Sequence, residues 1–227
     1  MESKQQNAVT NDIYYQVIWI SQLYDLDSRY AVDFIKKLPD MEGIVPKESL
    51  AECVWTAIPS YSAMMKFGDQ SKTLGQHTYM KAVARLFEML STMLPLENEL
   101  KSRSISIERR TVDSLQKIGE SQSGEIYVVP TQIGYRHRGH NACQAVRRFA
   151  DNEFGLGLLT LGSLLLSNLL DWNTVNRLLL YCLGDECHPQ YLTPFICHWD
   201  DEIIVGEEKS LCKYKMVTSP TGFMPLC

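Results

Sequence analysis

Residues 125–157, EIYVVPTQIGYRHRGHNACQAVRRFADNEFGLG, decide how the rest of the chain is organised. This stretch joins a short β-branched run to a proline, a glycine-flanked basic turn, an arginine-bearing segment and a glycine-rich approach to an apolar run. Four arginines and two histidines lie close together in it: Arg136, His137, Arg138, His140, Arg147 and Arg148. The whole chain has a net charge of −5. Residues 135–148, which we call the basic element, are therefore a local cationic segment of an acidic protein.

The sequence changes character on either side of residues 119–124, GESQSG, which predicts an α+β fold. Before this linker, apolar residues such as Ile13, Val17 and Ile20 recur at helical spacing. After it, short β-branched runs bounded by glycine and proline predict strands. We therefore predict a helical region over residues 1–118 and an α+β region over residues 125–227, either as two regions or as one continuous domain. The second region is expected to hold a small, mostly antiparallel sheet with a packed helix.

The individual elements follow from apolar spacing and from proline and glycine stops. Helices are predicted from residue 12 and over residues 29–38, 47–58, 78–94, 106–118, 142–150 and 156–166. Strands are predicted over residues 125–129, 178–183 and 211–217, together with a hairpin formed by residues 194–199 and 202–206. Asn141 is a suitable N-cap for the helix that carries Arg147 and Arg148. Residues 1–10 are expected to be a frayed tail.

Composition limits the class of protein. With 45% hydrophobic and 22% charged residues, the 227-residue chain has the composition of an ordinary globular protein. Its net negative charge argues against non-specific coating of nucleic acid. The odd cysteine count, seven, and a first segment without a signal-peptide pattern predict reduced thiols and a cytoplasmic location. The apolar run 154–170 is short and polar for a membrane span, so no membrane partner is expected.

The basic element is the main candidate site. Gly134 and Gly139 bracket a tight turn, and the start of the following helix offers backbone donors to a phosphate or carboxylate. The candidate partner- or anion-binding residues are Tyr135, Arg136, His137, Arg138, His140, Arg147 and Arg148. An internal role is the alternative, in which the arginines pair with carboxylates of the same chain. The candidates for such pairing are Asp151, Glu153, Asp185 and Glu186.

Two other patterns suggest cofactor or metal sites only weakly. Gly155, Gly157 and Gly162 do not have the spacing of a dinucleotide-binding loop, so we expect close backbone packing and no cofactor. A second group combines thiols with imidazoles: Cys182, Cys187, His188, Cys197, His198 and Cys212. Its spacing fits a zinc site only in part, and small buried thiols are the preferred interpretation. We predict no metal, with zinc left as the alternative.

The segment YRHRGHNACQAVRRFADNEFGLGLLTLGSLLL, residues 135–166, together with GDE at 184–186, resembles a family of bacterial and mobile-element proteins of unknown function. The resemblance lies in the HRG of the basic turn, in EFGLG and in the acidic GDE. It covers about residues 127–190 and leaves the helical N-terminal half unmatched. It implies a bacterial, phage or plasmid origin and carries over no activity, ligand or catalytic residue.

The leading functional hypothesis is a non-enzymatic interaction protein that binds a host protein or nucleoprotein complex, including as an inhibitor of host defence. It rests on the lack of any recognised catalytic motif and on one concentrated Arg/His element in an acidic chain. The first alternative is nucleic-acid binding, with the arginines on phosphates and Tyr135 stacked on a base. The second is a small hydrolase or transferase in which His137 or His140 acts as general acid or base.

Overall fold

The computed structural model of the chain describes residues 2–69, 78–92, 95–100, 104–167, 178–188, 192–199, 202–209 and 217–224. The α-helices in this part are α1 (Glu2–Tyr24), α2 (Arg29–Ile35), α3 (Tyr61–Asp69), α4 (Thr78–Leu90), α5 (Arg109–Ser121), α6 (Ala142–Val146) and α7 (Leu158–Leu166). The strands are β1 (Cys53–Pro59), β2 (Leu96–Asn98), β3 (Ser104–Ile107), β4 (Ile126–Gln132), β5 (Glu153–Gly155), β6 (Leu179–Tyr181), β7 (Asp185–His188), β8 (Leu192–Trp199), β9 (Glu202–Lys209), β10 (Val217–Thr218) and β11 (Thr221–Phe223). The predicted α+β class is confirmed.

A four-stranded antiparallel sheet holds the basic element in place. Its strand order is β1-β4-β11-β5, so β4 lies inside the sheet and leads directly into the basic turn. β4 is buried along its whole length. Helices cover the sheet, with α1 and α7 packed against β1 and α2 packed against β4. The turn therefore starts from a strand that is buried along its length and paired on both sides.

The remaining strands form a five-stranded sheet and a two-stranded sheet. The larger one has the order β10-β6-β8-β9-β2, with parallel pairs at both edges and antiparallel pairs between them. β8 and β9 form the predicted hairpin, and β6 is the predicted strand near residue 180. β3 and β7 pair antiparallel as a separate ribbon. Most of the predicted strand over 211–217 lies outside the described residues.

The helix predicted over residues 47–58 is wrong. Residues Lys47–Glu52 form a short 3-10 helix, and β1 follows at once. Strand β1 is buried from Trp55 to its end. A strand that is buried on both faces has no apolar–polar alternation, so periodicity does not separate it from a buried helix. On the unpaired edge of β1, helix α1 supplies a hydrogen-bond acceptor, because the Ala57 amide donates to Gln16 Oε1 at 2.9 Å.

The N-terminal helix agrees with the sequence in its packing and differs from it in its start. Ile13, Val17, Ile20 and Tyr24 are all buried, as their spacing predicts. The helix begins at Glu2, so the predicted frayed tail over residues 1–10 is wrong for residues 2–10. Glutamate, lysine, glutamine and alanine in this segment are favourable helix formers. Helix propensities summed over this segment predict that the helix starts early, whereas a search for an N-cap residue does not.

The helices on either side of residue 153 differ in how well the sequence predicts them. α7 lies at residues Leu158–Leu166 and is buried throughout, as predicted for residues 156–166. The predicted helix 142–150 is shortened to α6, because the chain turns after Val146. Arg110 of α5 holds this turn through its side chain, which donates to the carbonyls of Ala150 and Glu153. Tertiary contact thus ends the helix, and no local stop signal marks the position.

One hydrophobic core receives side chains from both sides of the predicted 119–124 linker. The antiparallel pairing of β1 with β4 also crosses that linker. α5 continues to Ser121, so the first part of the linker is helical. Division of the chain into independently folding regions over 1–118 and 125–227 stays a prediction. The first of these regions is also not wholly helical, since it contains β1, β2 and β3.

Two glycine-bearing segments, EFGLG at 153–157 and GDE at 184–186, pack backbone against backbone. The Gly184 amide donates to the Leu156 carbonyl at 3.1 Å, and the Gly184 carbonyl accepts from the Glu108 amide at 2.8 Å. A Cβ at Gly184 would lie 2.5 Å from the Gly157 amide nitrogen. A Cβ at Gly155 would likewise lie 2.3 Å from the Leu183 carbonyl carbon, so the predicted close backbone packing is confirmed for Gly155. At Gly157 and Gly162 an added Cβ would instead meet the side chains of Asp185 and Leu86.

We expect Gly184→Ala to lower the free energy of unfolding by about 2–3 kcal/mol, because the added methyl meets backbone that has no room to move. The measurement is urea unfolding of the full chain at neutral pH. Gly43→Ala is the matched control, since a Cβ at Gly43 meets nothing within 4 Å. Equal stability of the two variants would contradict the close packing of the EFGLG and GDE segments.

Among the helices that the structure describes, none is both long enough and apolar enough to cross a membrane.

Candidate functional site

The turn of the basic element is fixed by glycines and by an amide side chain at the end of β4. Gly134 has φ +96° and Gly139 has φ +74°, a region that favours glycine. The side-chain oxygen of Gln132 accepts from the Gly134 amide at 2.7 Å, while its Nε2 donates to the Ser219 carbonyl at 2.9 Å. The Gly139 amide donates to the Val217 carbonyl at 2.9 Å. The turn is thus tied at both ends to the segment that carries β10 and β11.

Glu153 is the buried centre of the basic element. Its side chain has no exposed surface and accepts four hydrogen bonds. His137 Nε2 lies 2.7 Å from Oε1, and Thr221 Oγ1 donates to the same oxygen at 2.6 Å. Arg136 Nε and the Ala150 amide donate to Oε2 at 3.1 Å and 2.9 Å. One carboxylate therefore joins the basic turn, the loop after α6 and the strand β11.

The protonation of this cluster follows from its geometry. Burial by itself would raise the pKa of Glu153, but hydrogen bonds from His137, Thr221 and the Ala150 amide hold it below its ordinary value. Since a carboxylate only accepts, the proton of the His137 ring lies on Nε2. The other ring nitrogen, Nδ1, is buried without a hydrogen-bond partner among the described residues. The Glu153 carboxylate and the Phe149 ring hold His137 in place, and the centroids of the His137 and Phe149 rings are 5.3 Å apart.

Arg136 extends the cluster to the 3-10 helix before β1. Its Nη1 donates to Glu48 Oε1 at 2.9 Å and to Ser49 Oγ at 2.8 Å. The Arg136 side chain is 16% exposed, whereas the Glu48 side chain is 70% exposed. Arg136 and His137 thus match the internal-pairing alternative, with Glu153 as the shared carboxylate. His137 has no exposed surface and contributes nothing to an outer face in this structure.

The rest of the basic element faces outward. Arg138, Arg147 and Arg148 are exposed, and none of them forms an ion pair with a carboxylate of the described residues. Tyr135 is 53% exposed, and Val146 beside Arg147 is 45% exposed. Together these five residues form what we call the outer arginine surface. His140 is half-buried, with Nδ1 enclosed and without a partner in the described part of the chain.

A cavity of about 350 Å³ lies beside the outer arginine surface, between α6, the start of α5 and strands β7 and β8. Arg147 belongs to its lining, so the cavity and the surface meet there. The lining also includes Glu108, Asp185 and Glu186, which come from other elements. The structure thus brings the GDE segment close to the basic element, as two of the carboxylates considered as arginine partners lie in this cavity.

Asp185 is the second buried carboxylate among the described residues. Tyr79 Oη donates to its Oδ1 at 2.6 Å, and the Leu158 amide donates to its Oδ2 at 2.6 Å. The second contact satisfies the first amide of α7. Burial raises the pKa of Asp185 to about 7, against the two hydrogen bonds that lower it. Unlike Glu153, Asp185 has no ion-pair partner within the described part of the chain, and burial outweighs its hydrogen bonds.

The cysteines and histidines of the C-terminal region do not gather into a metal centre in the described residues, where no group of three or more metal-binding side chains is found. Cys182 and Cys187 are buried and Cys197 is half-buried, and none of the three is in a disulfide. Burial raises the pKa of Cys182 well above its ordinary value, which disfavours the thiolate that zinc requires. Cys212 and the side chain of His188 lie outside the described part.

Sequence reasoning gave Glu153 only as one of four possible arginine partners. It missed Gln132, which directly precedes the basic turn, and Thr221 and Glu48, which come from two distant segments of the chain. The position of Glu153 was the available signal, because it directly precedes a run of glycine and apolar residues, where a charged residue must be paired when buried. Tyr79 as a partner of Asp185 had no local signal, since 106 positions separate the two residues.

Comparisons of the chain with protein-family models, with curated proteins and with solved structures gave no significant match. The resemblance to bacterial and mobile-element proteins therefore stays a prediction.

Proposed function

We propose that the protein is a non-enzymatic interaction protein that binds an acidic surface of a partner protein through the outer arginine surface. The observation that supports this proposal is the division of the basic element. Its inner half is neutralised by Glu153 and Glu48, whereas Arg138, Arg147 and Arg148 project outward without a carboxylate partner in the described residues.

Two other exposed cations of this acidic chain are paired with carboxylates close by in the sequence. Arg29 pairs with Asp27 at 2.6 Å, and Lys36 pairs with Asp33 at 2.8 Å. Each of these pairs neutralises itself and attracts little from outside. The outer arginines keep their full charge available, and positive charge on a locally cationic face steers and orients an acidic partner.

The inner half of the basic element supports binding by fixing the outer half. The buried Glu153 cluster, the Gln132 clamp and the capping box of Asn141 with Gln144 hold the turn and α6 in one arrangement. A preorganised binding surface loses less conformational entropy on association. Exposed tyrosine and arginine side chains are also the residue types that contribute most to protein interfaces.

The same surface defines the class of partner that we propose. The resemblance to bacterial and mobile-element proteins favours a host protein or nucleoprotein complex, such as a defence or regulatory complex, as the target of a protein of bacterial, phage or plasmid origin. A cytoplasmic location goes with this proposal and is supported by the odd number of cysteines in the sequence. Catalysis by His137 is disfavoured by its burial, because a general acid or base must reach the substrate.

The test is affinity capture from a bacterial lysate with the wild-type chain and with the double variant Arg138→Gln/Arg148→Gln. We expect a stoichiometric protein that survives nuclease treatment and whose retention falls at least about tenfold in the double variant, because two exposed charges are lost. Arg109→Gln/Lys117→Gln is the matched control, since it removes two exposed charges from α5.

Three outcomes of this capture would overturn the proposal. The first is that no stoichiometric protein is retained, and the second is equal retention by the double variant. The third is retention that disappears on nuclease treatment and falls steeply with added salt, which is the signature of phosphate contacts. That result would assign the outer arginine surface to nucleic acid.

A further inference from the structure

The cavity beside the outer arginine surface has opposite charges on different walls. Arg147 follows the last residue of α6 on one side. Glu108 precedes α5 and Glu186 lies on β7, on the other elements that line the cavity. What the cavity can bind therefore depends on whether these charged side chains pair with one another.

Arg147, Glu108 and Glu186 form no ion pairs within the described part of the chain. Arg147 forms no ion pair with Glu108, with Glu186 or with any other described carboxylate. Glu108 uses Oε2 to cap α5, where it accepts from the Thr111 amide at 3.1 Å. Its Oε1 has no such bond in the described residues, and neither carboxylate oxygen of Glu186 has one. Both signs of charge are thus available to a ligand.

The rest of the lining is mainly apolar. Aliphatic side chains come from three elements of the cavity wall: Ala142, Val146, Leu183 and Leu192. Asp185 also contributes to the wall, but its two oxygens already accept from Tyr79 and from the Leu158 amide. Cys143 and Thr193 complete the lining as small, uncharged side chains. The charged groups of the lining that are left without an ion pair in the described residues are therefore Arg147, Glu108 and Glu186.

We propose that this cavity binds an apolar α-amino acid in its zwitterionic form. The ligand carboxylate contacts the Arg147 guanidinium, whose planar donors fit a carboxylate in a two-bond arrangement. The ligand ammonium contacts Glu108 and Glu186, and its aliphatic side chain packs against the apolar wall. A volume of about 350 Å³ is at the lower end of small-molecule sites, which suits a molecule of this size.

This ligand class follows from the combination of charges. A simple anion would leave two carboxylates beside it unpaired, and a simple amine would leave Arg147 unpaired. A molecule with both charges close together, joined to an apolar part, matches the cationic, anionic and apolar parts of the lining at once. The cavity shares Arg147 and Val146 with the outer arginine surface. Arg138 and Arg148, which the capture experiment replaces, do not line the cavity, so failure of one proposal is distinguishable from failure of the other.

The experiment is isothermal titration of the full chain with three probes of similar shape. L-leucine carries both charges, 4-methylpentanoate lacks the ammonium group, and leucinamide lacks the carboxylate. We expect saturable binding of one L-leucine per chain and at least about tenfold weaker binding of the other two, since each loses one charge-assisted contact. Absence of saturable leucine binding, or equal binding of the three probes, would overturn the proposal.

Variants then assign the two ends of the ligand. Arg147→Gln should weaken leucine binding at least about tenfold and leave the already weak binding of leucinamide unchanged, because leucinamide makes no carboxylate contact. Glu186→Gln should weaken leucine and leave 4-methylpentanoate unchanged. Arg148→Gln is the control for Arg147→Gln, as it removes the neighbouring charge outside the cavity. A loss in Arg148→Gln as large as in Arg147→Gln would overturn the assignment.

Discussion

Glu153→Gln is expected to lower the free energy of unfolding by about 3–5 kcal/mol at neutral pH, because it leaves two cationic or donor groups facing an amide in a buried site. The glutamine carbonyl can still accept from His137 and Thr221. Its NH₂ group then lies against Arg136 Nε and the Ala150 amide, which are donors themselves. Since small domains are stable by only about 5–15 kcal/mol, a loss of this size is a large part of the total.

Urea unfolding of the full chain measures this effect, and two other variants calibrate it. Glu52→Gln removes an exposed carboxylate from the same 3-10 helix that carries Glu48 and should change little. Glu48→Gln removes the exposed partner of Arg136 and should cost much less than Glu153→Gln, because exposed ion pairs contribute little. If Glu153→Gln were no more destabilising than Glu48→Gln, Glu153 would not be the centre of the cluster.

Asp185→Asn is expected to remove most of the pH dependence of stability between about pH 4 and about pH 7. The pKa of Asp185 is raised from 3.8 to about 7 in the folded chain by burial. A raised folded pKa gives stability that is fully present below the unfolded pKa and is lost as the pH rises through the folded pKa. The wild-type chain should therefore lose on the order of 4 kcal/mol across this range through Asp185 alone.

The asparagine variant fixes the neutral state and keeps both contacts. Its carbonyl accepts from the Leu158 amide, and its NH₂ group donates to Tyr79 Oη. At about pH 8 the variant should accordingly be more stable than the wild-type chain. Asp12→Asn, on the exposed part of α1, is the control and should leave the pH profile unchanged. A wild-type profile that rises from about pH 4 to about pH 7 and is unaffected by Asp185→Asn would contradict this account.

The pKa values of Glu153 and Asp185 are shifted in opposite directions in the folded chain. Their contributions therefore separate when the free energy of unfolding is measured as a function of pH. The pKa of Glu153 is lowered in the folded chain, so its contribution to stability is present above the unfolded pKa and is lost as the pH falls through the folded value. Protonation of Glu153 should therefore destabilise the wild-type chain below about pH 4.5, whereas Asp185 destabilises it as the pH rises from about 4 to about 7. The Glu153→Gln variant should show a smaller acid-side loss, because it lacks the contribution of Glu153.

Local patterns predicted those parts of the fold that depend on local chemistry. The apolar spacing of α1, the Asn141 cap of α6, the buried α7 and the β8–β9 hairpin all follow from short-range rules. β1 was missed because a strand that is buried on both faces carries no period. The early end of α6 was missed because Arg110, more than thirty positions away along the chain, holds the turn after it.

The candidate site shows the same limit. The sequence located the basic element, but it did not separate inner from outer arginines. Arg136 and Arg138 are both arginines, two positions apart, and they differ in whether a carboxylate lies beside them. Glu153, on strand β5 that pairs with β11, accepts from Arg136, whereas Arg138 contacts no carboxylate in the described residues. The cavity was likewise out of reach, since Arg147 and Glu186 meet there only through tertiary packing.

The most direct test of the divided basic element is arginine modification of the native chain with p-hydroxyphenylglyoxal, followed by mass spectrometry of the peptides. Arg138, Arg147 and Arg148 should react at the rate of exposed arginines, whereas Arg136 should be protected until the chain is unfolded or carries Glu153→Gln. Modification of Arg136 in the native wild-type chain as fast as Arg138 would contradict the account.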